Sequence, residues 1–267
     1  MPRCDMHVHS MHSKATGYWF LRALQAPESF TPPELLYEKA RDRDMDFVTI
    51  TDINTIDGVM RIIDQPGVFT GEEIRTYLHG SRAVLHILAY GFDLADHDEI
   101  SRLRESFEDL TEFLSDRGIL FALAHPFHSE GPSPTHEELA SAMRRCPLVE
   151  SLNGSRLAAE NAMVESVVRS VRGDPDFQGF IGGSDDRCGR FIGNAFTAVP
   201  EAGTPVEFLA ALAAGRGSPG GASGTAIRSA YSIYSIAYSF YRERMQQHEL
   251  PLFASAAADG MFAPGRP

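Results

Sequence analysis

Between Arg3 and Gly183, short apolar runs alternate with stretches of helical periodicity at least six times. Such alternation leaves few options: it points to a layered α/β fold in which helices cover the strands they connect. No two-residue hairpin signal such as Asn-Gly joins one run directly to the next, so the expectation is parallel βα units, in a sheet either open or closed into a barrel. The ends of the runs carry chemistry. Arg3–His9 ends in His7-x-His9, Asp46–Asp52 in Thr51-Asp52, Gly67–Glu73 in two carboxylates, Ile119–Ala124 at His125-Pro126, and Phe177–Gly182 in Gly183-Ser184-Asp185. His86 is the exception, in the middle of Ala83–Tyr90. Functional residues of βα barrels come from the C-terminal ends of strands, so these scattered donors are expected to meet at one mouth.

The helical segments carry their own signals. Thr31-Pro-Pro-Glu34 reads as a capping box with proline in the first turn, and Asp98–Arg117 reads as one amphipathic helix stopped by Gly118. Ser155–Arg172 is helical by pattern. Gly215–Gly224 is rich in Gly, Ser and Pro and reads as a linker. The domain organisation expected is therefore a barrel over 1–214, a linker over 215–224, a helix over 225–248 and a mobile tail over 249–267. In that helix Tyr231, Tyr234, Tyr238 and Tyr241 recur on one face. Packing against the barrel is the ordinary reading of such a stripe, and a homo-oligomer or partner contact is the sharper one.

With 267 residues, 43% of them apolar and 22% charged, the chain can bury a substantial core. Its net charge of −12 and the lack of clustered Lys and Arg argue against a nucleic-acid groove. No apolar run is long enough to span a membrane. The three cysteines, Cys4, Cys146 and Cys188, are widely spaced, which disfavours thiolate zinc or a disulfide framework; with no apolar leader before His7, the cytoplasm is the expected compartment.

His7, His9, Glu73, His86, His125 and Asp185 offer nitrogen and oxygen donors without sulfur. Two residues apart on a strand, the imidazoles of His7 and His9 project to the same side and can reach one ion. The mixture suits Mn, Fe or Zn, and it holds too many donors for one tetrahedral ion. A carboxylate shared between two ions about 3.5 Å apart is the usual arrangement for phosphate-ester hydrolysis.

The order and spacing of these motifs over Met1–Val199 resembles the PHP family, the polymerase and histidinol phosphatase group. That resemblance implies a distorted (β/α)7 TIM-like barrel. The stretch from Glu28 to Gly58 also looks like PHP domains that accompany glycosyltransferases. By position, the resemblance implies that His7, His9, Glu73 and Asp185 hold a first metal and that Glu73 bridges to a second completed by His86 and His125. Glu73 is preferred to Glu72 because the family carboxylate comes two residues after a glycine, here Gly71, and directly before an aliphatic residue, here Ile74. Glu150 and Asn153 would hydrogen-bond around the metals; Asp52, read from its own position, either holds the structure behind the ligands or orients a ligand histidine or passes a proton to the leaving group.

Three positions depart from the family pattern, all at its third metal: Lys14 follows Ser13, Ile53 follows Asp52, and Arg187 closes Ser184-Asp185-Asp186-Arg187. An aliphatic side chain cannot ligate and two cations repel a third ion, so that site is expected to be empty. Lys14 and Arg187 together carry the formal charge of the missing ion and are expected to bind and neutralise phosphate in its place, with Arg156 and Arg190 as further substrate contacts. His12 and His128 match no ligand position and read as solvated loop histidines. The function expected is a phosphoesterase acting on a phosphorylated small molecule through a hydroxide held between two divalent ions. A non-catalytic metal-binding module serving a partner enzyme, and an amidohydrolase-type reaction, remain the alternatives.

Overall fold

The computed structural model describes residues 1–13, 27–128, 131–171 and 176–247. It contains two sheets and, among the described residues, eight helices. β1 (Arg3–Asp5), β2 (Phe47–Val48), β8 (Ala195–Ala198) and β9 (Ser218–Gly221) form one sheet in the order β2-β1-β8-β9. β3 (Gly71–Tyr77), β4 (Val84–Tyr90), β5 (Leu120–Leu123), β6 (Leu148–Asn153) and β7 (Gly179–Gly183) form the other in chain order. The helices are α1 (Pro33–Asp42), α2 (Asp57–Met60), α3 (Leu94–Leu103), α4 (Phe107–Asp116), α5 (His136–Arg145), α6 (Ala158–Val171), α7 (Pro205–Ala213) and α8 (Ala226–Gln247).

The α/β class agrees with the sequence pattern, but the strands are not all parallel. β3 and β4 are antiparallel, as are β4 and β5 and the pairs that β8 makes with β1 and β9. The β3–β4 hairpin has no Asn-Gly signal: its turn is closed by the Leu78 and Ala83 backbones, with Gly80 and Arg82 at φ 91° and 57°. The two sheets meet at both seams through isolated bridges, Val48 to Val68 and Ile53 to Glu73 on one side and Val8 to Asp186 on the other. Among the described residues no continuous ladder closes them into a barrel.

Three further expectations are corrected. The linker over 215–224 contains β9, and a side chain at Gly221 would lie 2.2 Å from the Asn194 carbonyl. Its glycines therefore serve close strand approach rather than flexibility. Asp98–Arg117 is two helices, because Asp93 and Ser106 each cap a new first turn. At Thr31 no side chain caps α1; Pro32 occupies that position. The tail over 249–267, Trp19 and Lys14 lie outside the described residues.

The core explains how the site is positioned. Leu85, Ile87 and Ala89 of β4 pack into the larger apolar cluster with the helices, whereas Leu88 and Tyr90 pack into a smaller one with Met6, Leu148 and Ile181. His86 shares its side of the strand with Leu88 and Tyr90, two and four residues on. The Tyr90 hydroxyl donates to the Met6 carbonyl at 2.7 Å, tying β4 to the segment just before His7.

Candidate metal centre

All six sequence-derived donors converge. His7, His9 and Glu73 are fully buried, and His86, His125 and Asp185 nearly so. His9 Nε2 lies 3.3 Å from Glu73 Oε2 and 3.4 Å from Asp185 Oδ1; His7 Nε2 lies 3.5 and 3.7 Å from the same two oxygens. On its other oxygen, Glu73 Oε1 is 2.6 Å from His86 Nδ1 and 3.1 Å from His125 Nε2. Its carboxylate is thus flanked by His7 and His9 on one oxygen and by His86 and His125 on the other.

Glu73 is not at the end of its strand, as the sequence pattern implied, but third in β3. The hairpin runs on past the mouth, and the bridge from Ile53 sets Glu73 beside the segment that follows β2, one residue after Asp52. Because β4 runs back, His86 stands next to the end of β5: the Ala124 N–H donates to the His86 carbonyl. Glu73 pairs with Leu88 across the hairpin, so His86 is its diagonal neighbour on the same face.

β1 stops at Asp5, two residues short of the His pair. Hydrogen bonds across the seam take over: Asp185 N–H donates to the His7 carbonyl and His9 N–H to the Asp186 carbonyl. Asp5, buried, accepts from the backbones of Ser184 and Gly193 at 2.7 and 2.6 Å; burial against these bonds pushes its carboxyl up to about 7. Gly183 permits the approach, since a Cβ there would stand 2.4 Å from that of His7. Asp185 and His125 hold left-handed backbone, at φ 52° and 23°. For non-glycine residues this costs about 1–3 kcal/mol each and is concentrated at functional sites.

Glu150 orients the cluster. Its Oε1 is 2.9 Å from His7 Nδ1, while Oε2 accepts from the His125 N–H and from Asn153, which also donates to Asp185 Oδ2. A proton on His7 Nδ1 shared with Glu150 leaves the Nε2 lone pair aimed at Glu73 and Asp185. Burial pushes the Glu73 carboxyl up, but the positive charge of His86 and His7 outweighs it and holds it well below the usual range. Asp185 is likewise held down, by Arg187 and His7 against burial. Burial lowers His7, yet Glu150, Asp185 and Glu73 raise it well above normal. The cluster has a strong affinity for positive charge.

A metal ion fits these residues. Among the described residues His7 Nε2, His9 Nε2 and Glu73 Oε2 have no hydrogen-bond partner, and an unsatisfied buried polar atom costs about 1–3 kcal/mol. Tetrahedral bonds of about 2.1 Å set ligand atoms about 3.4 Å apart, close to the 3.3–3.7 Å separations found here. His7, His9 and Asp185 form one group able to hold an ion, and His7, Glu73 and His125 a second.

The remaining candidates are less uniform. Asp52 accepts from the N–H and hydroxyl of Ser10, both at 2.6 Å, so it fixes the backbone just after His9; burial raises its carboxyl to about 6 against those bonds. Arg187 is buried beside Asp185, with Nη1 2.8 Å from Asp185 Oδ1 and Nε donating to Glu28 Oε1 at 2.5 Å. Arg156 comes within 3.9 Å of Asp185 and lines a crevice of about 20 Å³ with His125, Phe127 and His128. His128 is therefore not simply a solvated loop residue: its ring meets that of His125 edge-on at 5.5 Å. Arg190 is not brought to the cluster; its guanidinium lies over the Tyr231 ring. The sequence reading missed Glu28, which is fully buried and also accepts from Ser13, because its partner Arg187 is 159 residues away. It missed Asp5 too, although a carboxylate inside an apolar run two residues before a ligand was a usable signal.

No model of a known protein family matches the sequence, and no curated protein matches it. The fold does have solved counterparts. PsfC from Pseudomonas syringae PB-5123 superposes with a TM-score of 0.58 at 18% identity, covering 89% of this chain and 98% of that one. An amidohydrolase from Chromobacterium violaceum, solved with bound sulfate and no metal, gives 0.52 at 15%, covering 78% and 96%. The lesion-specific endonuclease PfuEndoQ from Pyrococcus furiosus also gives 0.52 at 15%, over 82% of this chain but 57% of its own. At such identities the likeness is one of fold. Among the described residues no helix is long and apolar enough to cross a membrane.

Proposed function

We propose that the protein is a metal-dependent phosphoesterase of the PHP type, holding two divalent ions of Mn, Fe or Zn. The observation that carries this reading is the convergence of His7 Nε2, His9 Nε2 and Glu73 Oε2, buried and unpartnered, on one point. His7, His9, Glu73 and Asp185 would hold one ion; Glu73, His86 and His125 would hold the other. When bound, such ions polarise a phosphoryl oxygen and bring the pKa of water near neutrality. Glu150 and Asn153 keep His7, His125 and Asp185 aligned. Arg156 and His128 face the crevice beside His125 and contact the substrate. Arg187, held between Glu28 and Asp185, places a fixed positive charge beside the first ion in the role assigned to the missing third metal, assisted by Lys14. The substrate is a phosphorylated small molecule and the compartment the cytoplasm.

The test is to load purified protein with Mn, Fe or Zn in turn and assay a phosphomonoester, a phosphodiester and an amide panel, with metal content measured in parallel. Two ions per chain and phosphate release support the proposal. Turnover of amides alone would favour an amidohydrolase-type reaction, the second reading that the fold shared with an amidohydrolase supports. Two ions with no turnover would favour a non-catalytic module.

A further inference from the structure

Beside the donor cluster, α1, the loop after β7 and α8 enclose a second cleft of about 240 Å³. The chain carries 36 acidic and 24 basic residues, yet the described residues lining this cleft include Lys39, Arg187 and Arg242 and no carboxylate. Ser235, Ser239 and Arg242 are spaced four and three apart, so they share one face of α8. That face borders the cleft, with Ser235 and Ser239 half-buried and Arg242 exposed, and Ile236, 1% exposed, anchors the helix beside it. Thr31 adds a hydroxyl from the opposite wall.

Charge accounting narrows the ligand. Arg187 is already matched by Glu28 and Asp185. Lys39 spends one of its three donors on the Gly189 carbonyl, at 2.6 Å, and among the described residues neither it nor Arg242 is paired with a carboxylate. Two uncompensated cations and several hydroxyls match a phosphate group, of charge about −1.5 to −2 near neutral pH, better than a single carboxylate. The cleft is also contiguous with the metal centre: Arg187 lines it and touches Asp185 Oδ1, itself 3.4 Å from His9 Nε2.

We propose that this cleft binds a phosphate group, and that it is the subsite for a second phosphate on the substrate, remote from the ester that is cleaved. The substrate class is then a phosphate ester bearing another phosphoryl group. That last step rests on the phosphoesterase reading; phosphate binding in the cleft does not.

Inorganic phosphate titrated calorimetrically into the metal-stripped full chain tests the site without the ions. Arg242→Glu, at an exposed position, and Ser239→Asp each place a carboxylate in the cleft, and each is expected to weaken phosphate binding about tenfold or more with an unchanged melting temperature. Equal affinity in both variants would overturn the site. In the metal-loaded chain, Arg242→Gln is expected to raise KM for alkanediol bisphosphates about tenfold relative to that for p-nitrophenyl phosphate. Equal shifts for both would overturn the substrate assignment. Phosphate binding that responds to the α8 variants in a chain that hydrolyses no phosphate ester would support the cleft while rejecting the phosphoesterase reading.

Discussion

His7, His9 and Glu73 are wholly buried, whereas Tyr231, Tyr234, Tyr238 and Tyr241 of α8 are 38% to 64% exposed. The first region is overdetermined: each donor is held by its strand, by a seam hydrogen bond or by Glu150, and two of the six sit on left-handed backbone. The second is held lightly: among the described side chains of this 22-residue helix, Ile236 is the one buried. The contrast teaches where precision is needed. A cage for ions tolerates little displacement, because the donors must stay oriented even when they repel or remain unsatisfied. A helix that closes a cleft needs only to be present.

Substitutions can break or sharpen that contrast. The largest effect is expected at Glu73, whose oxygens serve both halves of the cluster: Glu73→Gln should drop metal content from two ions per chain to less than one and abolish phosphate release, as read by elemental analysis and assay. Retention of two ions would overturn the shared-carboxylate arrangement. Gly183→Ala comes next. The new methyl must displace His7, and such overpacking costs about 1–3 kcal/mol, visible as a lower melting temperature together with weaker metal binding. Glu150→Gln keeps the shape but removes the charge that orients His7. A loss of about 10–100-fold in metal affinity is expected, with little change in fold by circular dichroism. The smallest effect belongs to Tyr238→Ser on the outer face of α8, within about 0.5 kcal/mol of the parent by denaturant unfolding. A loss of several kcal/mol there would mean that the stripe is covered in solution, by a second copy or a partner.

The donor set was legible because every member but His86 closes an apolar run of the sequence, and side-chain chemistry at the end of a run needs no knowledge of the partner. His86 already looked anomalous in mid-strand, and the reversed direction of β4 accounts for it. Other features were hidden for physical reasons. The hairpin turn around Gly80 and Arg82 is closed by backbone bonds and left-handed residues rather than by a recognisable dipeptide. Periodicity places the four tyrosines on one face of a helix but does not say which way that face turns. The ordinary expectation, packing against the body of the protein, holds at Tyr231, which meets the Phe191 ring and lies under the Arg190 guanidinium, but not at Tyr234, Tyr238 and Tyr241, which are more than half exposed. The likeness of Glu28–Gly58 to glycosyltransferase companions has no counterpart among the structures named above.

Composition, alternation and the residues that close each run are properties of neighbours in the chain. They determined an α/β fold, an inventory of nitrogen and oxygen donors, and the cationic residues Lys14 and Arg187 close in sequence to those donors. Which strands run antiparallel, how the seams meet, and that Arg187 lies between Glu28 and Asp185 were decided only in three dimensions. Those outcomes depend on contacts between segments far apart in the chain, 188 residues in the case of Asp5 and Gly193, whose free energy is set by the packing of the whole and leaves no local trace.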